Sequence, residues 1–388
     1  MLNLLEKELQ QTYQEIIAIK KDVGDAMNLF REAQIRTTDS KGGTVSNYQY
    51  FIYPFKGFTL ANQGIYNTLA KYLAEMIPKD TEVILSIESD GIGIATLIAA
   101  QLRLPLIIAK TFHYDIECVD FSQQTGYYER TMYMSKALKN KKIAIVDCMA
   151  STGGTIVNMV KAVESISSDT KITGIYCVND KSNYRQKNDI FEKYDYSYLF
   201  DTYIENNKVI CSMSSRFKDV FWADVNRRFY TITERLAEDV SNKSRHGYGV
   251  GATLVDSETF EISAWGYRRG HVHAEQDALS MLKNNTPDWE EHEYMLYCTM
   301  EPCTYRNGKY TPCSHLISDM PQLKWVIIGQ KDVADNKICG NGIQYLVENG
   351  KNIRLMATNE KFYANQNIFQ KTKIENEEMM LEPGLSFA

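Results

Sequence analysis

Four residues in the C-terminal half of the chain could hold and use a metal ion. His273 stands two residues before Glu275, and Cys303 and Cys313 each follow a proline. One imidazole and two thiolates suit zinc, and a catalytic zinc keeps a fourth position for water. Glu275 could then move the proton of that water. The alternative is that the cysteines are ordinary buried apolar residues and His273 is a histidine satisfied in the core.

A second candidate site lies in residues 143–160, where an apolar strand is followed by an acid, a loop of small residues and a helix. The loop consists of Ser151, Thr152, Gly153, Gly154 and Thr155. Its N–H groups and hydroxyls, at the start of a helix, favour a phosphate group. Asp147, at the carboxyl end of the strand, could accept hydrogen bonds from ribose hydroxyls. This stretch therefore predicts a site for a phosphorylated ribose, although a glycine pair is also common in plain turns.

The elements around these two sites indicate an α/β protein with two domains. Short apolar, β-branched runs predict strands at 81–88, 104–111, 141–147, 171–178 and 198–204. Helical stretches lie between them, so the first domain is predicted to contain a parallel sheet. A second alternation predicts strands at 251–256, 261–268, 294–302, 323–331 and 352–358.

Changes in this pattern give the predicted domain limits. Residues 206–220 interrupt the alternation and are predicted to be a linker, followed by a helix over 221–240. The predicted parts are an N-terminal helix (1–35), a first domain (36–215), a second domain (222–360) and an acidic C-terminal tail (361–388).

Apolar residues three and four positions apart run from Leu2 to Phe30 and predict one long helix. Such a stripe usually packs on its own domain. The other interpretation is a dimerisation helix, which would make the protein a homodimer.

Composition narrows the class of protein. The chain has 388 residues, 44% of them hydrophobic, and a net charge of −6, which argues against general nucleic-acid binding. The N-terminus alternates apolar and charged residues, so we expect no secretory signal, and no stretch predicts a membrane span. Eight cysteines without such a signal are expected to be thiols or metal ligands, and the expected compartment is the cytoplasm.

The order H-A-E, then P-C and a second P-C, resembles the cytidine-deaminase superfamily, in which zinc-activated water replaces an exocyclic amine. The long loop between the cysteines is similar to that of the pyrimidine deaminase of riboflavin biosynthesis. This resemblance implies an α/β/α domain in which His273, Cys303 and Cys313 bind Zn²⁺ and Glu275 carries the proton. His271 and His315 are further candidates for orienting a ligand or touching the substrate.

The run "VDCMASTGGT" resembles the type I phosphoribosyltransferase motif, and the segment upstream is similar to adenine-type members. The resemblance implies phosphoribosyl pyrophosphate with Mg²⁺ as ligands. It also implies a pyrophosphate loop of Glu88, Ser89, Asp90 and Gly91, followed by Lys110, and a flap in which Glu129 could be a general acid/base.

The chain departs from the phosphoribosyltransferase family at two positions. Cys148 stands where the family has a second acid, and Asp90 stands where adenine-type relatives have an arginine. A carboxylate at position 90 would repel pyrophosphate unless Mg²⁺ lies between them. The first domain could therefore transfer phosphoribose or only sense its donor.

Three functions remain open at this point. The first is a bifunctional nucleotide-metabolism enzyme that transfers phosphoribose and deaminates a base or nucleotide. The second is a deaminase regulated by a sensing domain. The third, a nucleic-acid-editing deaminase, needs a basic groove that this acidic chain does not obviously supply. The expected ligands are a small base or nucleotide and phosphoribosyl pyrophosphate, with no membrane.

Overall fold

The computed structural model describes residues 7–38, 48–55, 61–126, 128–181, 188–241, 249–306, 308–332 and 341–356. The chain divides into two compact units, Ala18–Trp222 and the combination of Met1–Ile17 with Ala223–Ala388. The predicted tail 361–388 lies outside the described residues. The domain limits 36–215 and 222–360 stay predictions.

The unit Ala18–Trp222 is built on a mostly parallel sheet. Its strands are β1 (Ile35–Thr38), β2 (Tyr48–Phe51), β3 (Val83–Ile87), β4 (Leu106–Ala109), β5 (Cys118–Gln124), β6 (Glu129–Ser135), β7 (Lys142–Ala150), β8 (Lys171–Lys181), β9 (Tyr196–Glu205) and β10 (Lys208–Met213). Six of them form one sheet in the order β10-β9-β8-β7-β3-β4, and the five predicted strands are confirmed as β3, β4, β7, β8 and β9. These five run parallel.

The helices of this unit cover the sheet because its strands are apolar on both faces. They are α2 (Gln63–Met76), α3 (Ile92–Leu102), α4 (Gly154–Ile166) and α5 (Ile190–Lys193). All five residues of β3 are buried, as are eight of the eleven residues of β8. Strands buried in this way need cover on each side, which crossover helices supply. Two antiparallel hairpins, β1-β2 and β5-β6, lie outside the main sheet.

The predicted linker over residues 206–220 is wrong. Residues 208–213 form β10, which pairs antiparallel with β9, and the next helix begins at Ser215, six residues before the predicted start. Asn206 and Asn207 both have a positive φ (48° and 58°). Two such residues make the tight turn that connects hairpin strands, and asparagine tolerates it well. The change of pattern therefore marks an edge strand, not a linker.

The second unit contains a five-stranded mixed sheet in the order β12-β11-β13-β14-β15. The strands are β11 (Gly251–Asp256), β12 (Ile262–Tyr267), β13 (Tyr294–Met300), β14 (Leu323–Gln330) and β15 (Asn352–Leu355), and the helices are α7 (Ala274–Asn285), α8 (Cys313–Ser318) and α9 (Asn341–Glu348). The first three strands in this order are antiparallel neighbours and the last three are parallel. All five strands were predicted from the sequence.

Two long helices, α1 (Lys7–Arg31) and α6 (Ser215–Ser241), each cross a boundary between the units. The predicted N-terminal helix is therefore confirmed over its described residues. Its apolar stripe is buried in this chain; Ile16, Val23 and Phe30 are fully buried. This burial agrees with a helix packed within the chain, and the homodimer stays a prediction. None of the helices described here is long and apolar enough to cross a membrane.

Candidate functional site

Three side chains of the second unit come together as a possible metal centre. His273 immediately precedes α7, Cys303 follows β13, and Cys313 is the first residue of α8. Their ligand atoms all lie within 4.8 Å of one another. The Nδ1 atom of His273 is 3.5 Å from each of the two sulfur atoms. Ligand atoms about 2.1 and 2.3 Å from a tetrahedral zinc lie about 3.6 Å apart, so the donor set fits this ion.

Local hydrogen bonds hold the two cysteines beside each other. The backbone N–H and the hydroxyl of Ser314 both donate to the carbonyl oxygen of Cys303, at 3.1 and 3.0 Å. The N–H of Cys313 points to the sulfur of Cys303 at 3.5 Å. Hydrogen bonds from the Cys313 thiol and from His273 lower the pKa of Cys303 below the ordinary value of a thiol. A thiolate, the form that binds zinc, is thus favoured there.

Glu275 lies in the first turn of α7, and only 3% of it is exposed. Burial raises the pKa of its carboxyl above the ordinary value. A carboxyl with a raised pKa can both accept and return a proton near neutral pH, as a general acid/base must.

The two additional histidines make aromatic contacts. His271 stacks on Tyr310, with ring centres 6.1 Å apart. His315 stacks on Tyr345 of α9, with ring centres 4.4 Å apart and planes within 8° of parallel. Neither belongs to the group of ligand atoms around His273. Their roles at the site stay predictions.

Glu301 holds the segment that leads to Cys303 and was not singled out from the sequence. Its two carboxylate oxygens accept hydrogen bonds from the N–H groups of Ile343 (3.0 Å) and Asp332 (3.1 Å). Glu301 is buried and lies two residues before Cys303. One carboxylate therefore connects α9 and the end of β14 to the segment that carries a candidate ligand. The sequence signal for this role was the acidic residue that precedes Pro302 and Cys303 in "EPC".

Helix α7 can hold Glu275 in place because it lies very close to β12. A Cβ atom on Gly266 would lie 2.3 Å from the carbonyl oxygen of Ala274 and 2.4 Å from the nitrogen of Ala278. No side chain fits into this space. Glycine at position 266 therefore allows the first turn of α7, with Glu275, to pack directly on the sheet.

The other unit has a pocket at the carboxyl end of its parallel strands. It is lined by Tyr48, Ile87, Glu88, Ser89, Asp90, Gln123, Gln124, Thr125, Gly126, Tyr128, Asp147, Cys148, Met149, Ala150, Ser151, Thr152, Gly153, Thr155 and Ile156. The structure thus brings the predicted phosphate loop, the predicted pyrophosphate loop and Asp147 to one cavity. This is the edge at which α/β sheets bind their ligands.

Within the phosphate loop, Gly153 has φ of 81° and precedes Gly154, the first residue of α4. A Cβ atom there would also lie 2.8 Å from the ring of Phe191, so this position requires glycine. A Cβ atom on Gly154 would lie 2.9 Å from the carbonyl oxygen of Gln124. Asp147 is buried, and its Oδ1 accepts the N–H of Cys148 at 2.7 Å.

The predicted pyrophosphate loop packs against the same acid. A Cβ atom on Gly91 would lie 2.6 Å from the hydroxyl of Ser86 and 3.0 Å from Oδ1 of Asp147. The carboxylate of Glu88 accepts hydrogen bonds from the backbone N–H and the hydroxyl of Thr111, at 2.9 and 3.1 Å. The backbone hydrogen bond lowers the pKa of Glu88, so this side chain is ionised and engaged by the neighbouring loop.

Four predicted residues, Gly91, Lys110, Glu129 and Gly154, do not line the pocket. Lys110 exchanges backbone hydrogen bonds with Tyr133 at 2.9 and 2.8 Å. Glu129 is exposed on the β5-β6 hairpin and accepts the hydroxyl of Ser122 at 2.5 Å. Arg130, which was not predicted, donates to the carbonyl oxygen of Glu88 at 3.1 Å.

Tyr48 is a pocket residue that sequence reasoning did not assign. Its phenol oxygen lies 2.5 Å from the hydroxyl oxygen of Ser151. The Nζ atom of Lys181 lies 4.5 Å from the centre of the Tyr48 ring and donates to the carbonyl oxygen of Gln49. Lys181 thereby fixes β2 against the pocket. The aromatic run around Tyr48 was the only signal in the sequence.

Comparison with known proteins matches two parts of the chain to protein families. Residues 60–210 match the model of the phosphoribosyl transferase domain, and residues 225–329 match the cytidine and deoxycytidylate deaminase zinc-binding region. The chain belongs to the phosphoribosyltransferase family and carries a cytidine and deoxycytidylate deaminase zinc-binding domain after the phosphoribosyltransferase domain. The recognition made from the sequence is thereby confirmed.

One curated relative is the hypoxanthine/guanine phosphoribosyltransferase of Methanothermococcus okinawensis, 33% identical over 167 residues, which are 42% of this chain and 89% of that protein. Among solved structures, adenine phosphoribosyltransferase of Thermoanaerobacter pseudethanolicus is 18% identical with a TM-score of 0.37, covering 46% of this chain and 99% of that one. RibD of Acinetobacter baumannii is 23% identical with a TM-score of 0.31, covering 37% of each chain.

Proposed function

We propose that this chain is a bifunctional enzyme of nucleotide metabolism. One site removes an amino group from a base or a phosphoribosylated base by zinc-dependent hydrolysis, and the other transfers phosphoribose. The observation that carries the proposal is the approach of His273, Cys303 and Cys313 within 4.8 Å of one another, with Glu275 buried in the turn that follows the histidine.

In the deaminase, His273, Cys303 and Cys313 would hold Zn²⁺. When bound, zinc would lower the pKa of a coordinated water molecule. Glu275 would carry the protons, taking one from the attacking water and giving it to the ring nitrogen, then taking the second and giving it to the leaving amine. The balance is one C–N bond replaced by one C–O bond, with water consumed and ammonia released. The raised pKa of Glu275 suits this repeated exchange.

In the transferase, the loop Ser151–Thr155 would bind the ribose phosphate through N–H groups and hydroxyls. Asp147 would accept hydrogen bonds from the ribose hydroxyls, and Mg²⁺ would bind together with the pyrophosphate. Asp90 and Asp147 offer the oxygen ligands that Mg²⁺ prefers. Their place in one pocket with the phosphate loop supports this assignment. A purine base is the first acceptor to test, given the similarity to a hypoxanthine/guanine phosphoribosyltransferase.

A regulated deaminase is the second candidate, because two pocket residues depart from the transferase pattern. Cys148 is buried where the family has a second acid, and Asp90 places a negative charge in the pyrophosphate loop. A pocket altered in this way could bind phosphoribosyl pyrophosphate without using it. Cys148→Asp should then change effector binding without creating turnover.

The test is ammonia release from aminopurines, aminopyrimidines and their nucleosides and nucleotides. Each compound is incubated with and without phosphoribosyl pyrophosphate and Mg²⁺, and pyrophosphate is measured in parallel. Ammonia from free bases only with the donor, in step with pyrophosphate, supports transfer followed by deamination. Ammonia without any pyrophosphate supports the regulated deaminase.

Glu275→Ala provides the blank, and Glu258→Ala, which changes an exposed acid of the same unit, is its control. Loss of a general acid/base should lower the rate by roughly 10²- to 10⁴-fold. Equal ammonia from Glu275→Ala and the unchanged chain would refute the deaminase. A preference for oligonucleotides would instead support the nucleic-acid-editing alternative.

A further inference from the structure

The pocket of the unit Ala18–Trp222 is acidic, although its proposed ligand is an anion. Three of its lining side chains, Glu88, Asp90 and Asp147, are carboxylic acids, and none of the described residues that line it is lysine or arginine. Like charges would therefore meet when phosphoribosyl pyrophosphate enters. Mg²⁺ on carboxylate oxygens offsets part of this repulsion. A cation held close to the predicted pyrophosphate loop would offset more of it.

Arg130 of β6 lies at that place. Its Nη2 atom donates to the carbonyl oxygen of Glu88 at 3.1 Å, and its Nε atom donates to Oε1 of Gln123 at 2.5 Å. The guanidinium carbon also lies 5.3 Å from the centre of the Tyr128 ring. Glu88, Gln123 and Tyr128 all line the pocket, so the guanidinium packs against the pocket wall where the β5-β6 hairpin meets the predicted pyrophosphate loop.

These contacts leave the charge of Arg130 unbalanced. Its two hydrogen-bond acceptors, a backbone carbonyl and a side-chain amide, are neutral, and no Asp or Glu forms an ion pair with it within the residues that the structure describes. The side chain is half-buried, so an anion would replace part of its lost hydration. Its charge already acts at the pocket. The N–H of Thr111 is the main cause of the lowered pKa of Glu88, and the charges of Lys110 and Arg130 lower this pKa further.

The hairpin that carries Arg130 is anchored on its other side to the helix after the phosphate loop. The hydroxyl of Thr155 donates to the carbonyl oxygen of Gln124 at 3.1 Å, and the side-chain amide of Asn158 donates to that of Ser122 at 2.9 Å. Strand β5 is thus fixed to α4, while Arg130 joins β6 to the loop at Glu88. A guanidinium held in this way loses less freedom on binding a ligand than a free side chain does.

We propose that Arg130 replaces the arginine that the predicted pyrophosphate loop lacks at position 90. The positive charge then comes from the β5-β6 hairpin, and the hydrogen bond to the carbonyl oxygen of Glu88 holds the loop beside it. This inference rests on the proposed binding of phosphoribosyl pyrophosphate in this pocket, and it applies equally to a transferase and to a sensing domain. It explains how a loop that carries Asp90 can bind an anion.

Calorimetric titration of the full chain with pyrophosphate, phosphoribosyl pyrophosphate and ribose 5-phosphate, at one Mg²⁺ concentration, tests the proposal. Arg130→Gln should raise Kd for the first two ligands by roughly 10- to 100-fold, as the loss of a charged hydrogen-bond donor does. Ribose 5-phosphate contains no pyrophosphate, so its Kd should not change. A disturbed hairpin would weaken all three ligands, so the comparison distinguishes a lost charge from a lost structure.

Position 90 provides a second test. The double variant Arg130→Gln with Asp90→Arg moves the cation into the predicted pyrophosphate loop and should recover most of the lost affinity. Arg130→Lys, which keeps the charge without the fork, should lose about tenfold or less. Lys136→Gln is the matched control, because it removes an exposed positive charge just after the same hairpin, and it should leave all three Kd values unchanged.

The outcomes separate this inference from the proposed function. If the unchanged chain binds neither pyrophosphate nor phosphoribosyl pyrophosphate, the pocket assignment fails, and the role of Arg130 fails with it. If it binds both and Arg130→Gln binds them equally well, only the role of Arg130 is refuted. Loss without recovery in the double variant, or an equal loss for ribose 5-phosphate, would show that Arg130 shapes the pocket and does not replace the missing charge.

Discussion

The phenol oxygen of Tyr48 and the hydroxyl oxygen of Ser151 lie 2.5 Å apart, although 103 positions separate them in the chain. Tyr48 is almost completely buried, and a Cβ atom on Gly126 would lie 2.6 Å from its ring. Strand β2 therefore reaches across the pocket and contacts the proposed phosphate loop directly. Tyr48, although far in sequence from the phosphate-loop motif, thus orients the hydroxyl of Ser151.

We expect Tyr48→Phe to weaken the binding of phosphoribosyl pyrophosphate by about tenfold or less, the value of one hydrogen bond. Ser151→Ala should have a similar effect, measured by calorimetric titration with Mg²⁺. If Tyr48 acts through Ser151, the double variant should be no weaker than Ser151→Ala. Fully additive losses would show that the two residues act independently.

We expect one zinc ion per chain, and its loss in His273→Ala, Cys303→Ser and Cys313→Ser. Three protein ligands are the minimum for a catalytic zinc, so removing one should prevent stable binding. Atomic absorption gives the metal content, and ammonia release should decline in parallel. Cys118→Ser, which changes a half-buried thiol outside the group, should keep its zinc. Retained zinc in all three ligand variants would exclude this site.

Glu301→Gln should weaken zinc binding by about 10- to 100-fold, as the loss of a residue that supports a ligand often does. The amide replaces one acceptor oxygen with a donor that faces the N–H of Ile343 or Asp332. Competition with a coloured chelator measures the affinity. Glu348→Gln, an exposed change on α9, serves as the control. Unchanged affinity would mean that Glu301 contributes only to folding.

Lys181 should make stability depend on pH above neutrality. Burial lowers the pKa of Lys181 to about 7, from an ordinary value of 10.5. Between these values the unfolded chain binds a proton that the folded chain does not, so the free energy of unfolding increases with pH. Below pH 7, Lys181 is charged in the folded chain too, and the folded chain then bears the whole desolvation cost of this buried charge.

Lys181→Met should remove up to about 1.4 kcal/mol of that increase per pH unit between pH 7.5 and 9.5. Urea unfolding at several pH values measures the slope, and Lys171→Met, an exposed change at the start of β8, is the comparison. Parallel curves for Lys181→Met and the unchanged chain would show that Lys181 keeps its ordinary pKa.

The sequence predicted the elements and the metal group because both depend on local pattern. Apolar runs identify buried strands, and H-A-E with two Pro-Cys pairs identifies His273, Cys303 and Cys313. Strand β10 was missed because an edge strand is less uniformly apolar, although Asn206 and Asn207 are typical hairpin residues.

The residues that support the sites could not be predicted in the same way. The contact of Tyr48 with Ser151 and those of Glu301 with α9 join segments that are distant in sequence. Conversely, proximity in sequence did not bring His315 into the metal group, because its ring packs on Tyr345. Spacing along the chain predicts candidate ligands, whereas the residues that support them follow from the tertiary fold.

Gly266 has a consequence for how mutational surveys of this protein should be interpreted. Every side chain at position 266 would collide with the backbone at the start of α7. Nearly all single-nucleotide changes at its codon that alter the residue should therefore abolish activity, in a pattern indistinguishable from that of Glu275. A scan scored only by activity would count this glycine among the active-site residues, although it carries no group that could touch a substrate. Measuring protein abundance alongside activity would separate the two positions.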